Sequence, residues 1–379
     1  MKPRSTNSIK AVGLMSGTSL DGLDLVAVKF WQTSEKWQFK IEAAETLEYS
    51  AEWKSRLKNA PELSGEELIQ LHTEYGRFLG SETKRFIAQN HFQPDIVASH
   101  GHTIFHQPEK GFTFQVGSGY EIATVTGIST IADFRSGDVA LGGQGAPLVP
   151  VGDRLLFSAY EYCLNLGGFA NISFEKNGER VAFDICPVNM VLNHFAEKQG
   201  FAFDKNGEMG RKGKVNTELQ HKLNQLDFYL SEPPKSLGRE WVEKVFMPVL
   251  NDFEITEEDK LRTIYEHIAQ QIAGTIGGGE GEGKGEGEGG GGGKMLVTGG
   301  GAFNAFLFEL ISGKTSVELV IPVNEIINFK EALIFAFLGV LKYRGEINCL
   351  ASVTGAKWDS SVGIIHSSYK KFLHSTDYC

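Results

Sequence analysis

Residues 11–30 read AVGLMSGTSLDGLDLVAVKF, an apolar run, a turn of Gly, Ser and Thr, and a second apolar run. The two runs predict strands joined by a hairpin turn. Gly13, Gly17 and Gly22 permit close backbone approach, and Ser16, Thr18 and Ser19 add hydroxyl donors, which are the groups a phosphate takes. The Gly-Lys-Ser/Thr ending of a Walker loop is missing and the following run reads as a strand, so a phosphate would be held by a hairpin. Asp21 and Asp24 follow, placed to serve Mg²⁺ directly or through water. An ordinary ligand-free hairpin has the same composition, and the stretch alone does not separate the two.

Around this hairpin the chain reads as an α/β protein. Its 379 residues exceed one ordinary core and predict two domains. A formal charge of −10 argues against nucleic acid or an anionic membrane surface as a general partner and favours a small polar ligand. The N-terminus carries no apolar signal core, and Ala332 to Leu341 is too short to span a bilayer, so a cytoplasmic protein with no membrane partner is expected. Cys163, Cys186, Cys349 and Cys379 form no CxxC, which fits a reducing compartment and excludes a cysteine zinc knuckle.

Ser64 to Asn90 has helical spacing, opened by a Ser64/Glu67 capping box. Asp95 to His106 reads as a buried strand, whose alternation puts His100 and His102 on one face. No carboxylate or cysteine completes a metal set with them. Thr130 to Pro150 gathers Asp133, Arg135 and Asp138 with several glycines, either as a surface loop or as a domain junction lining a cleft. Strand Glu161 to Leu166, the turn Gly167 to Asn171 and strand Arg180 to Asp184 repeat the opening grammar, suggesting two related halves. Lys294 to Thr298 enters Gly299, Gly300 and Gly301 and then a helix from Asn304. Phe329 to Tyr343 is an apolar helix with Lys330 and Glu331 at its mouth, while 277–293 contains only Gly, Glu and Lys and cannot pack.

Ordered blocks from end to end resemble the anhydro-N-acetylmuramic acid kinases of the sugar kinase, heat-shock ATPase and actin superfamily. They are GLMSGTSLDGLD at Gly13 to Asp24, SHGHTIFHQP at Ser99 to Pro108, DFRSGDVALGGQGAPLVP at Asp133 to Pro150, NLGGFANIS at Asn165 to Ser173, FDICPVN at Phe183 to Asn189, PKSLGRE at Pro234 to Glu240, VTGGGAFN at Val297 to Asn304 and KEALIFAFLG at Lys330 to Gly339. The resemblance implies a two-domain actin-like, ribonuclease H-like α/β fold with a deep interdomain cleft. The first domain would span 1–131 plus 360–379, the second 132–359. It also implies ATP and Mg²⁺ as cofactors, an amino sugar as small-molecule partner, and a homodimer. Gly13, Ser16, Gly17, Thr18, Ser19 and Asp21 would hold phosphates and Mg²⁺, with Asp21 on the metal. Asn165, Gly167 and Gly168 would form a facing phosphate turn, and Gly299, Gly300, Gly301 and Asn304 the nucleoside end. Arg135, Asp138 and Glu331 would lie towards the sugar. Asp184 would be the base for water that opens the 1,6-anhydro bond while O6 takes the γ-phosphoryl group.

Two departures stand out. The family's DTGPGN loop is here Asp184, Ile185, Cys186, Pro187, Val188, Asn189, which suggests an altered sugar pocket, and His102 replaces a common Gln. Neither is expected to touch the nucleotide side. A sugar kinase with another acceptor, or a non-catalytic actin-like nucleotide-binding protein, are the alternatives; retention of Asp184 counts against the second.

Overall fold

The computed structural model describes residues 8–277 and 293–368. The chain divides into one unit made of the residues up to Leu156 together with those from Phe329 onward, and a second unit, Phe157–Asn328.

In the first unit, the opening stretch forms the hairpin β1 (Ser8–Ser16) and β2 (Gly22–Thr33), and β3 (Lys36–Glu48) extends it as an antiparallel meander. The helix Gly65–Gln89, whose Ser64/Glu67 capping box is fully formed, then returns the chain to β4 (Ile96–Gln107), parallel to β1. β5 (Phe112–Val116) pairs with β4, and β6 (Thr130–Ala132) runs parallel to β4 on its other side. A short strand, Ile364–His366, closes that edge. Because side chains alternate along a strand, β1 serves two cores. Val12 and Leu14 join Tyr75, Leu79 and Phe86 of the Gly65–Gln89 helix in one buried cluster. Gly13 faces the helix Asn324–Arg344, which is buried from Ala332 through Leu341. A Cβ at Gly13 would lie 2.1 Å from the Ala332 carbonyl oxygen, so glycine there is a requirement of helix-on-sheet packing.

The second unit contains β7 (Tyr162–Leu166), β8 (Phe169–Lys176) and β9 (Glu179–Pro187) as a meander, with β10 (Lys294–Thr298) parallel to β7 and β11 (Glu318–Val320) parallel to β10. Its order, β11-β10-β7-β8-β9, repeats the β6-β4-β1-β2-β3 core of the first sheet strand for strand. Both units are therefore ribonuclease H-like, and the duplicated grammar of the sequence is a duplicated topology. Ile264, Ile268 and Ile272 of the helix Glu257–Thr275 are fully buried against Leu164, Ile172 and Val297.

The boundaries expected at 131/132 and 359/360 are displaced. Residues 132–156 and 329–359 belong to the first unit. The glycine-rich stretch after Asp133 marks turns, which Asp138 ties to Thr354 and Cys349 of the same unit, and the apolar 324–344 helix covers β1. Within the low-complexity run, 278–292 lie outside the described residues, as do 369–379 of the expected first domain and Cys379. The three described cysteines, Cys163, Cys186 and Cys349, are buried and form no disulfide with one another.

Candidate functional site

The turn between β1 and β2 is closed by its own backbone: Leu20, at φ 61°, donates its N–H to the Gly17 oxygen at 3.2 Å. Thr18, Ser19 and Asp21 are exposed there. Ser16 is not. It is 2% exposed, accepts the Tyr49 hydroxyl at 2.7 Å and lies 2.8 Å from His102 Nδ1, so its hydroxyl serves the protein instead of the expected phosphate. Gly13 is likewise no phosphate donor, because it sits mid-strand between Val26 and Ala98. Asp24 accepts from Thr46 Oγ1 at 2.6 Å; burial raises its carboxyl, the Thr46 bond opposes this and the Asp21 charge adds to it. Asp21 is the hairpin carboxylate left for a cation. Among the described residues no group of three or more His, Cys, Asp or Glu gathers, and one exposed carboxylate fits an Mg²⁺ that keeps its waters and binds mainly to phosphate.

The histidines of β4 do not share a face. Gly101 adopts φ 70°, the register with β1 shifts between Leu14 and Ser16, and the alternation is broken. His100 packs on Phe335 of the 324–344 helix, its ring centre 4.6 Å away, whereas His102 turns to Ser16. His100 donates through Nδ1 to the Gly101 oxygen at 2.9 Å and accepts Arg135 Nε at Nε2, 3.0 Å away. Burial and the Arg135 charge push it well below the usual histidine range, so it is a neutral acceptor.

Arg135 also donates to the Gly145 oxygen at 2.7 Å, which fixes the guanidinium plane. Burial lowers it to about 10, against the opposing attraction of Glu331. Glu331 reaches solvent, yet desolvation by the protein around it raises its carboxyl more than Arg135 lowers it. Its neighbour Lys330 pairs with Asp153 at 2.8 Å, both nearly buried. Asp138 has a different task from the expected sugar contact. It is fully buried and accepts from Gly145 N at 2.7 Å, Thr354 Oγ1 at 2.7 Å and Cys349 Sγ at 3.1 Å, a set that shapes the loop presenting Arg135.

In the second unit Asp184 lies within β9, opposite Asn171 at a bulge, and the strand runs on to Pro187 instead of ending at Asp184 as expected. It caps no helix; the following helix, Asn189–Lys198, has Val188 at its N-cap. Asp184 Oδ2 accepts the Leu237 N–H at 2.8 Å, and Asp184 N donates to Lys235 O at 3.0 Å, so the Pro234 to Glu240 block exists locally to hold this carboxylate. Burial raises the Asp184 carboxyl and the Leu237 bond partly offsets this.

The turn Gly167–Gly168 is tied down by three amides: Asn189 N to Gly167 O at 3.2 Å, and Val188 N and Met190 N to Gly168 O at 2.8 and 3.3 Å. The strand-glycine-helix block meets the same place. Gly299, at φ 81°, would carry a Cβ 2.7 Å from Leu166 O, and Gly301 one 2.7 Å from Leu166 Cβ. Asn165 Oδ1 lies 3.5 Å from Thr298 Oγ1. Beside Gly300 and Asn304 opens a cavity of about 420 Å³ within this unit. Asn304 caps the helix Ala305–Ser312 through Leu307 N and donates to Tyr265 OH at 2.7 Å, which in turn donates to Asp204 at 3.1 Å. Phe203 and Phe303, both largely exposed, stand at its wall. Phe203, Asp204, Asn206 and Tyr265 escaped the sequence analysis; no motif marks them, and only the fold brings them to Asn304.

The two departures therefore fall elsewhere than expected. Ile185, Cys186 and Val188 are buried in the core of the unit, and their loop buttresses Gly167–Gly168 through backbone bonds. His102 bonds the residue that enters the β1–β2 turn. Both changes bear, through these bonds, on the turns that the resemblance assigns to phosphate.

A family model described as anhydro-N-acetylmuramic acid kinase matches residues 9–368. Proteins of that name from Vibrio cholerae serotype O1 and Mannheimia succiniciproducens are 35% and 33% identical over 376 and 374 residues, covering 94% and 93% of this chain and 97% and 98% of their own. One from Caldanaerobacter subterraneus is 31% identical over 386 residues, covering 93% of this chain and 96% of its own.

Proposed function

The chain belongs to the anhydro-N-acetylmuramic acid kinase family, and from that premise we propose how its residues divide the reaction. ATP is used to convert 1,6-anhydro-N-acetylmuramic acid and water into N-acetylmuramic acid 6-phosphate and ADP, a step of cell-wall sugar recovery in the cytoplasm. Asp184 accepts a proton from the water that attacks the anomeric carbon, and O6, freed as the anhydro bond breaks, takes the γ-phosphoryl group.

The observation that carries this division is the state of Asp184. One carboxylate oxygen is held by Leu237 N–H, the other has no protein hydrogen bond among the described residues, and desolvation makes the group a stronger base than an exposed aspartate. Arg135, fixed by His100 and Gly145, and Glu331 orient the sugar. Gly17, Thr18, Ser19 and the Gly167–Gly168 turn donate to phosphate oxygens, with Asn165 beside the second turn. The cavity lined by Gly300 and Asn304, with Gly299 and Gly301 shaping the turn beside it, takes the nucleoside, whose base fits against Phe203 and Phe303. Asp21 would hold Mg²⁺ through water, and the ion would offset phosphate charge. Ile185, Cys186 and Val188 are buried in the core of the unit, which supports keeping the family's acceptor.

The test is turnover in ¹⁸O water with ATP and Mg²⁺, reading ADP and the sugar by mass spectrometry before anomeric exchange. One ¹⁸O at the anomeric carbon of a 6-phosphorylated product is expected. No product from folded, ATP-binding protein would refute the assignment.

A further inference from the structure

We propose that His102 is a ligand-binding residue whose Nε2–H donates to an oxygen of the ATP γ-phosphate, with Tyr75, Tyr49 and Ser16 acting as positioning residues that fix its tautomer. The proposal rests on the phosphate role of the β1–β2 hairpin given above.

Three elements converge on this ring. Tyr75, fully buried on the Gly65–Gln89 helix, lies 2.5 Å from the hydroxyl of Tyr49, the residue after β3. Tyr49 donates to Ser16 Oγ at 2.7 Å, and Ser16 Oγ is 2.8 Å from His102 Nδ1. Each hydroxyl owns a single hydrogen. The Tyr49 hydrogen is on Ser16, so Tyr75 must donate to Tyr49, and the Ser16 hydrogen finds its acceptor at Nδ1. A run of donors pointing one way ends on an imidazole nitrogen that accepts. The ring is then neutral with its proton on Nε2. The opposite arrangement, Nδ1–H to Ser16, would send the Ser16 hydrogen back to the Tyr75 hydroxyl instead of to the Nδ1 acceptor 2.8 Å away. Burial keeps the His102 ring neutral at physiological pH, holding it to about 4.

Nε2 is the open end of the chain. Among the described residues it has no protein partner, and it is not sealed from solvent although the ring is only 3% exposed. The Gly101 kink is what turns His102 to the Ser16 side of the sheet instead of the His100 side. Ser16 leads directly into the exposed Thr18 and Ser19 of the turn, where the phosphate is assigned. A terminal phosphoryl group offers only acceptor oxygens there, and a neutral fixed donor suits it at every physiological pH.

The first test needs no turnover. Two-dimensional ¹⁵N spectra of the ring nitrogens in the ligand-free protein should show His102 as the Nε2–H tautomer, and Ser16→Ala should release it to a mixture. The second is ATP and ADP affinity by calorimetry. His102→Leu should lose about tenfold or more in ATP affinity with ADP affinity nearly unchanged, and His102→Gln, whose Oε1 accepts while its amide donates, should restore most of it. Should His102→Leu not fold, Ser16→Ala carries the same comparison. An Nδ1–H tautomer, equal loss with Leu and Gln, or a rise confined to the sugar KM would overturn the proposal. Wild-type protein that binds ATP without phosphorylating the sugar would refute the kinase assignment, and the affinity comparison would still decide His102.

Discussion

Replacing Asp184 with Asn tests the centre of the mechanism while sparing the fold. The wild-type carboxylate accepts one bond, from Leu237 N–H at 2.8 Å, and Asn can place its carbonyl oxygen there without moving the Pro234 to Glu240 segment. Its amide NH₂ then occupies the position of the free oxygen and accepts no proton. Loss of a general base removes a factor of roughly 10² to 10⁴, equivalent to about 3–5 kcal/mol of barrier. ATP affinity should hold, because the nucleoside cavity draws no lining residue from β9. Stability provides an independent check. Desolvation raises the folded Asp184 above the ordinary carboxylate range, so its contribution to folding is present below the unfolded value and is lost as pH rises through the folded value. At neutral pH the buried charge opposes folding; Asp184→Asn should melt no lower than wild type, and the difference should shrink in acid. Asp184→Ala, in contrast, strands the Leu237 N–H and should lose about 1–3 kcal/mol. Single-turnover ADP release with product mass spectrometry, beside calorimetric melting from pH 4 to 8, reads all of this. An Asn variant within about threefold of wild-type turnover would refute the base assignment.

Asp138→Asn replaces one acceptor oxygen of a fully buried carboxylate by a donor facing Gly145 N–H or Thr354 Oγ1, and should cost about 1–3 kcal/mol, seen as a lower melting temperature of the first unit. A raised sugar KM at unchanged melting temperature would instead make it a sugar contact. Gly13→Ala sets a methyl 2.1 Å from a helix carbonyl and should destabilise by about 1–3 kcal/mol or more while nucleotide affinity of the folded fraction persists. Weakened ATP binding without a thermal shift would return Gly13 to the phosphate site.

The hairpin, the capped Gly65–Gln89 helix and the repeat of one design in both halves were legible because each rests on local periodicity and turn chemistry within a single stretch. Motif blocks also named the family and Asp184. They could not assign work within a block, because Gly13, Ser16 and Asp138 stand beside residues proposed for ligand but are themselves taken up by Ala332, His102 and Thr354, far along the chain. The same limit hid Tyr265 and Asp204, which meet Asn304 only through packing.

Sequence by itself determined which stretches form strands, turns and helices and which residue types are available, since alternation and glycine-bearing turns are short-range properties of the backbone; the order of strands across crossovers came only with the fold. Tertiary structure decided which of those residues remain free to bind. One left-handed glycine at 101 sends His100 to Arg135 and His102 to Ser16, and a buried hydroxyl, once it has met its partner, has nothing left to offer a phosphate.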